Sequence, residues 1–112
     1  MSEITWDDFK RVDIRVGRVV ESEPFPEARK PSIKLVVDFG APIGTRRTSA
    51  QLTTYYEPEA LVGRQVVAVV NFPPKRIAGF KSEVLVLGVP DDDGEVVLLS
   101  PDRDVPPGGR MF

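Results

Sequence analysis

Cysteine and histidine are both absent from the 112 residues. A zinc site would therefore need carboxylates alone, and neither a Ser–His nor a Cys–His nucleophile pair can be assembled. The usual general base near neutral pH is missing too. No disulfide framework is available, which fits a reducing compartment. No apolar run approaches the roughly 20 residues of a membrane span. The opening Met1-Ser2-Glu3-Ile4 has neither the basic flank nor the apolar stretch of a signal peptide. The expectation is a cytoplasmic chain without membrane insertion. There is no Walker A pattern and no dinucleotide fingerprint. Asp38-Phe39-Gly40 spells a kinase triplet, but its partner motifs are absent. Asp91-Asp92-Asp93-Gly94-Glu95 is acidic enough to attract calcium, yet it fails the EF-hand spacing and reads as an exposed turn. Nothing singles out a carboxylate pair for glycoside chemistry. These absences point away from an enzyme and towards a binding module that needs no cofactor.

What is present suits one globular domain over residues 1–112. The chain is 41% apolar and 29% charged. At this length roughly two thirds of the unfolded surface can be buried. The formal net charge is −2, but the signs are segregated. From Ala60 to Ser82 the cations Arg64, Lys75, Arg76 and Lys81 meet no acid. From Glu83 to Asp104 seven acids face Arg103 alone. That polarity predicts a basic face and an acidic end.

The pattern along the chain is one of short strands. Thr5 with Asp8 forms an approximate capping box for a short helix, whose Trp6 and Phe9 are expected to plug an open end of the fold. Asp13–Ser22 reads as a strand, with Gly17 marking a bulge or sharp bend. Three prolines put Glu23–Pro31 in a loop. Ser32–Phe39 alternates cleanly, with Ile33, Leu35, Val37 and Phe39 on one face. Thr45–Leu52 is a polar strand, as suits an edge. Tyr55–Val62 reads as a helical turn opened by Pro58 and closed by Gly63. Val66–Val70 and Glu83–Gly88 are apolar strands, and Asp93-Gly94 marks a hairpin before Glu95–Leu99. The proline-rich end from Ser100 is extended and suited to packing on a partner. Five or six short strands without a long helix indicate an all-β barrel or sandwich. A helical turn between the third and fourth strands is the OB-fold arrangement, a five-stranded barrel, here with extra C-terminal strands.

The candidate site lies in Asn71–Gly88. Pro73-Pro74 stop a strand, and Gly79 permits a backbone angle that side chains oppose. Lys75, Arg76 and Lys81 are suited to phosphates, and Phe72 or Phe80 to stacking on a base. The same parts suit an extended polypeptide, with aromatic walls and a charged rim. Taken alone, Phe72 reads as core, and Phe80 as either core or contact.

Several stretches carry a family likeness: Asp8-Phe9-Lys10, Val12-Asp13-Ile14-Arg15-Val16-Gly17, Pro26-Glu27-Ala28, Val37-Asp38-Phe39-Gly40, Tyr56–Gly63 and Asn71–Ser82. In this order they resemble the tRNA-binding OB-fold domain family. Phe25–Arg29, Ile33–Val36, Ser49-Ala50-Gln51 and the run Asn71–Gly88 resemble its CsaA subfamily of export-related chaperones more closely still. The resemblance implies a bacterial homodimer that binds unfolded preproteins or peptides and assists Sec translocation components. It places a pocket for extended, apolar-plus-basic segments beside the central stretch. Phe72 and Phe80 would form its walls, Lys75, Arg76 and Lys81 its rim, and Ser49, Gln51, Asn71 and Ser82 its hydrogen-bonding groups. Glu83 would meet a client cation. The alternative implied by the same family is tRNA or structured RNA on that face. Glu83 stands where tRNA-binding relatives continue Ser-x-Gly-Met, and the Phe-Pro-Pro corner replaces their Lys-Pro. Both departures count against tight tRNA binding in the relatives' mode.

Overall fold

A computed structural model describes residues 1–112. Helix α1 (Trp6–Lys10) precedes strands β1 (Ile14–Pro24), β2 (Ile33–Asp38) and β3 (Thr45–Ala50). Helix α2 (Pro58–Leu61) then leads into β4 (Gln65–Val69). The remaining strands are β5 (Lys75–Ile77), β6 (Phe80–Ser82), β7 (Leu85–Val86), β8 (Gly88–Pro90) and β9 (Val96–Leu98). The main antiparallel sheet runs β3-β2-β1-β4-β7 and curls into a nearly closed barrel. This is the expected all-β OB-fold, with β5–β6 and β8–β9 as separate hairpins.

The core follows from strand alternation. Val19, Ile33, Leu35, Val37 and Phe39 point inward with Val66 and Ala68, and Leu61 of α2 is fully buried among them. β4 is buried along its whole length because both of its faces are covered. Val66 and Ala68 face the main core, while Val67 and Val69 join Ile14 in a second cluster. An uninterrupted apolar run is what such a strand requires.

Two sequence expectations need correction here. Gly17 is not a bulge: it pairs in register with Val66, and the irregularity in β1 falls between Val19 and Glu21. Gly17 is required by close approach, since a Cβ there would lie 2.5 Å from Val37 Cγ1 and 2.8 Å from the Phe39 ring. Nor do Trp6 and Phe9 plug the barrel. The Thr5–Asp8 capping box is present, but α1 buries no residue, and Trp6 is 62% exposed. The two rings pack on each other at 5.2 Å instead. Leu61 already fills the interior that they were expected to close.

The C-terminal segment packs on its own chain. β2 pairs with β1 only from Arg18 onward, which leaves Ile14–Val16 with a free edge. Gly108, Gly109 and Met111 take that edge through three backbone hydrogen bonds of 2.7–3.0 Å to Val16 and Ile14. Such a strap removes an exposed strand edge. Charge fastens it further: Arg15 donates to the Asp13 carboxylate at 2.6 Å and to the Gly108 carbonyl at 3.0 Å. Arg110 Nε lies 3.6 Å from Asp13. The bond from Arg15, with added attraction from Arg110, holds the Asp13 carboxyl below its ordinary range.

Two predictions follow from this packing. Gly17→Ala should destabilise the fold by about 1–3 kcal/mol through overpacking, read as a lower urea midpoint. An unchanged midpoint would mean that the Phe39 ring yields freely. Asp13 has a lowered folded pKa, so its stabilisation is present above the unfolded value of about 3.9 and disappears as pH falls through the folded one. The urea midpoint of Asp13→Asn should therefore trail that of the unaltered protein at neutral pH, with the gap narrowing on acidification. A constant gap would assign the Asp13 effect to shape rather than charge.

Candidate ligand groove

The candidate stretch folds in large part as a hairpin. Lys75–Ile77 and Phe80–Ser82 pair as a hairpin, with partners Lys75–Ser82, Arg76–Lys81 and Ile77–Phe80. Ala78 (φ 47°) and Gly79 (φ 80°) make its two-residue turn. Positive φ at both positions is the signature of a type I′ turn, whose twist matches the flanking strands. Opposed residues share a face, so Phe80 and Ser82 turn towards the barrel while Arg76 and Lys81 are exposed together. Ser82 Oγ lies 3.2 Å from Thr48 Oγ1. Phe80 is only 6% exposed and meets Phe25 edge-on at 5.4 Å. Lys34 and Arg47 lie over its ring at 5.1 and 4.5 Å.

After the hairpin the chain closes the barrel. The Glu83 N–H donates to the Arg47 carbonyl at 2.7 Å, and the Glu83 carboxylate accepts the Arg47 N–H at 3.1 Å. Thr48, buried on β3, donates its hydroxyl to the Val84 carbonyl at 2.7 Å. The other Glu83 oxygen lies 3.6 Å from Arg46. Beyond these contacts a groove of about 880 Å³ is lined by Ser49–Leu52 of the β3 side and Val84–Val86 of the β7 side. Phe72, Pro73 and Pro74 add apolar wall, and Arg29, Lys30 and Lys75 bring cations to it.

The residues singled out from sequence fall into three groups. Ser49, Gln51, Phe72, Lys75, Ser82 and Glu83 line this groove. Phe72 is 54% exposed, so it is groove wall and not core. Phe80 is core, and borders a separate cleft of about 410 Å³ on the outer side of β2 and β3. Arg76 and Lys81 project from the hairpin and line neither cavity. Asn71 is a structural clasp: its side chain accepts the Asp13 N–H at 3.0 Å and donates to the Arg11 carbonyl at 2.8 Å. Glu83 is likewise engaged by Arg46 and Arg47 rather than left free for a ligand. Arg29 and Lys30 were missed, because a proline-rich loop gives no sign of the wall against which it folds.

The family model described as a putative tRNA-binding domain matches residues 14–110. The chain belongs to that family. It is similar to the crystal structure of chaperone CsaA from Bacillus anthracis, at 53% identity and a TM-score of 0.91 over 99% of this chain and 100% of that one. The CsaA chaperone protein of Picrophilus torridus is 49% identical, with a TM-score of 0.90 over 98% of this chain and 100% of that one. Among curated relatives, a methionine–tRNA ligase of Methanocaldococcus jannaschii is 37% identical over 99% of this chain. The match spans only 17% of that ligase. The family and subfamily likeness read from the sequence is thus borne out.

Glu83→Ala should cost about 1–2 kcal/mol in urea unfolding, because the Arg47 N–H loses its acceptor. Glu83→Gln retains an acceptor and should recover most of that loss. Equal losses in both variants would make the ion pair with Arg46 the larger contribution.

Proposed function

We propose that this chain is a holding chaperone that binds extended segments of unfolded preproteins before Sec-dependent export. The groove carries this reading. It offers an apolar floor from Leu52, Val84 and Val86, an exposed aromatic wall at Phe72, and a cationic rim. Similarity to two CsaA chaperones over nearly the full chain supports it. No reaction is involved. Binding removes unfolded chains from collapse and aggregation by mass action. Interaction with Sec translocation components and a cytoplasmic location belong to the same reading. So does a homodimer, supported by exposed apolar residues on and just after the late strands, Leu85, Val89, Val97 and Leu99.

A second reading, tRNA or structured RNA as ligand, is favoured by one feature. Arg76 and Lys81 stand opposite each other on the hairpin, both exposed and without a carboxylate partner. Like charges so placed are destabilising until an anion joins them. The family's description points the same way.

Phe72→Ala should sharply reduce suppression of aggregation of a denatured secretory protein, measured by light scattering. Arg76→Ala with Lys81→Ala should reduce it much less. Anisotropy of labelled bulk tRNA across a salt series separates the readings: an RNA ligand should bind with a steep salt slope, made shallower by the double variant. Full holding activity in Phe72→Ala would remove the groove from the proposed mechanism.

A further inference from the structure

The two walls of the groove present strand backbone that no other strand pairs. On β3, the N–H and C=O of Arg47 both face Glu83, away from β2. Backbone direction repeats every second residue, so the N–H and C=O of Ser49 face the same way. On the other wall Val86 stands opposite Ala68, while the Leu87 N–H donates to the Val67 carbonyl. That pattern makes Ala68–Val86 a non-hydrogen-bonded pair, and directs the N–H and C=O of Val86 away from β4. Ser49 and Val86 line the same groove. Glu83 blunts the edge of β3 at Arg47, but at Ser49 no strand pairs the edge. The carbonyl there meets only the Thr48 hydroxyl at 3.5 Å, a hydroxyl that bonds the Val84 carbonyl at 2.7 Å. An open edge of this kind adds a strand.

Charge narrows the occupant. Arg29, Lys30 and Lys75 take part in no ion pair. The groove's one carboxylate, Glu83, is engaged by Arg46 and by the Arg47 N–H. The field at the groove is positive. Its floor is apolar.

Resting on the holding-chaperone reading, we infer that a client enters the groove as an extended strand that adds to β3 at Ser49. The bound segment is apolar, and carboxylate side chains flank it. The rim thus favours the opposite flanking charge to the basic one expected from sequence. Main-chain recognition is indifferent to most client side chains, while the flanks supply the selection.

Anisotropy with labelled peptides tests this on the intact protein. The parent peptide has an apolar core and aspartate flanks. Two twins carry N-methyl groups on one or the other alternate set of core amides, and a third has lysine flanks. One methylated twin should bind about tenfold or more weakly than the parent, the other much less so, because only one set of amides faces β3. The lysine twin should bind more weakly than the parent, and salt should narrow the difference. Ser49→Pro removes the edge N–H at a place where proline is tolerated, and should mimic the sensitive methylation. The peptide comparison does not depend on that variant folding. Equal binding of both methylated twins and the parent overturns strand addition, and lysine flanks that match or exceed aspartate overturn the charge assignment. Aggregation suppression is measured in parallel. If it persists beside either of those outcomes, the inference fails and the chaperone reading stands. If both suppression and peptide binding are absent, the chaperone reading itself fails.

Discussion

The barrel depends on a short stitch between the two edges of its sheet. The Thr48 hydroxyl reaches the Val84 carbonyl, and Glu83 matches both backbone groups of Arg47, one with its N–H and one with its carboxylate. Strand order alone leaves β3 and β7 as edges, and long open edges invite association with other chains. The stitch removes that liability at Arg47, and the Thr48 hydroxyl fastens the next residue by its side chain. Its shortness also creates the groove: where it ends, the walls at Ser49 and Val86 retain edge backbone above an apolar floor. One device therefore closes the fold and shapes the groove beside it. The hairpin Lys75–Ser82 is held in place by the same contact, because Ser82 approaches Thr48 immediately before Glu83 pairs.

The opposite side of the barrel is stabilised differently. β4 lies between two apolar clusters, so it tolerates no polar side chain at Val66–Val69. The edge of β1 that β2 leaves free is taken by the chain's own C-terminal strap. Side-chain charge reinforces that strap through Arg15, Asp13 and Arg110, and Arg18 with Asp104 at 2.7 Å. The proline-rich end thus works as an internal edge guard. Gly17 belongs to the same region of close packing, since the core of Val37 and Phe39 leaves no room for even one methyl group there.

Much of the fold was legible because its signals are local. Alternation in Ile33–Phe39, the apolar run at Val66, the Thr5–Asp8 box and the Asp93-Gly94 turn each depend on neighbours within a few residues. The site was legible only in part. Ser49, Gln51, Phe72 and Lys75 do gather at one groove. Phe80 and Asn71 lie outside that groove, and each is engaged by residues far away in sequence: Phe25 for one, Asp13 and Arg11 for the other. Glu83 illustrates the difficulty best. In sequence it is an acid interrupting a basic surface. In three dimensions it is the acceptor for a β3 backbone group, and Arg46 offsets its charge. The Trp6–Phe9 pair looked like core for a comparable reason: large aromatic side chains carry no local record of whether the interior is already full.

The formal charge of −2 conceals the electrostatics that a ligand meets. Asp13, Glu83 and Asp104 are ion-paired within the chain, and Asp91 accepts a hydrogen bond from Tyr55. Arg29, Lys30, Lys75, Arg76 and Lys81 make no ion pair. Exposed charges are screened over about 8 Å at physiological salt, so a ligand responds to these nearby cations far more than to the molecular total. Local charge alone does not separate a polypeptide from RNA, because carboxylates and phosphates both answer it. The discriminating features are those that charge does not supply. A strand edge at Ser49 and an apolar floor suit an extended polypeptide, whereas a phosphate backbone has no N–H groups with which to pair that edge. The proposed preference for polypeptide therefore rests on the gap in the barrel's closure rather than on its basic surface.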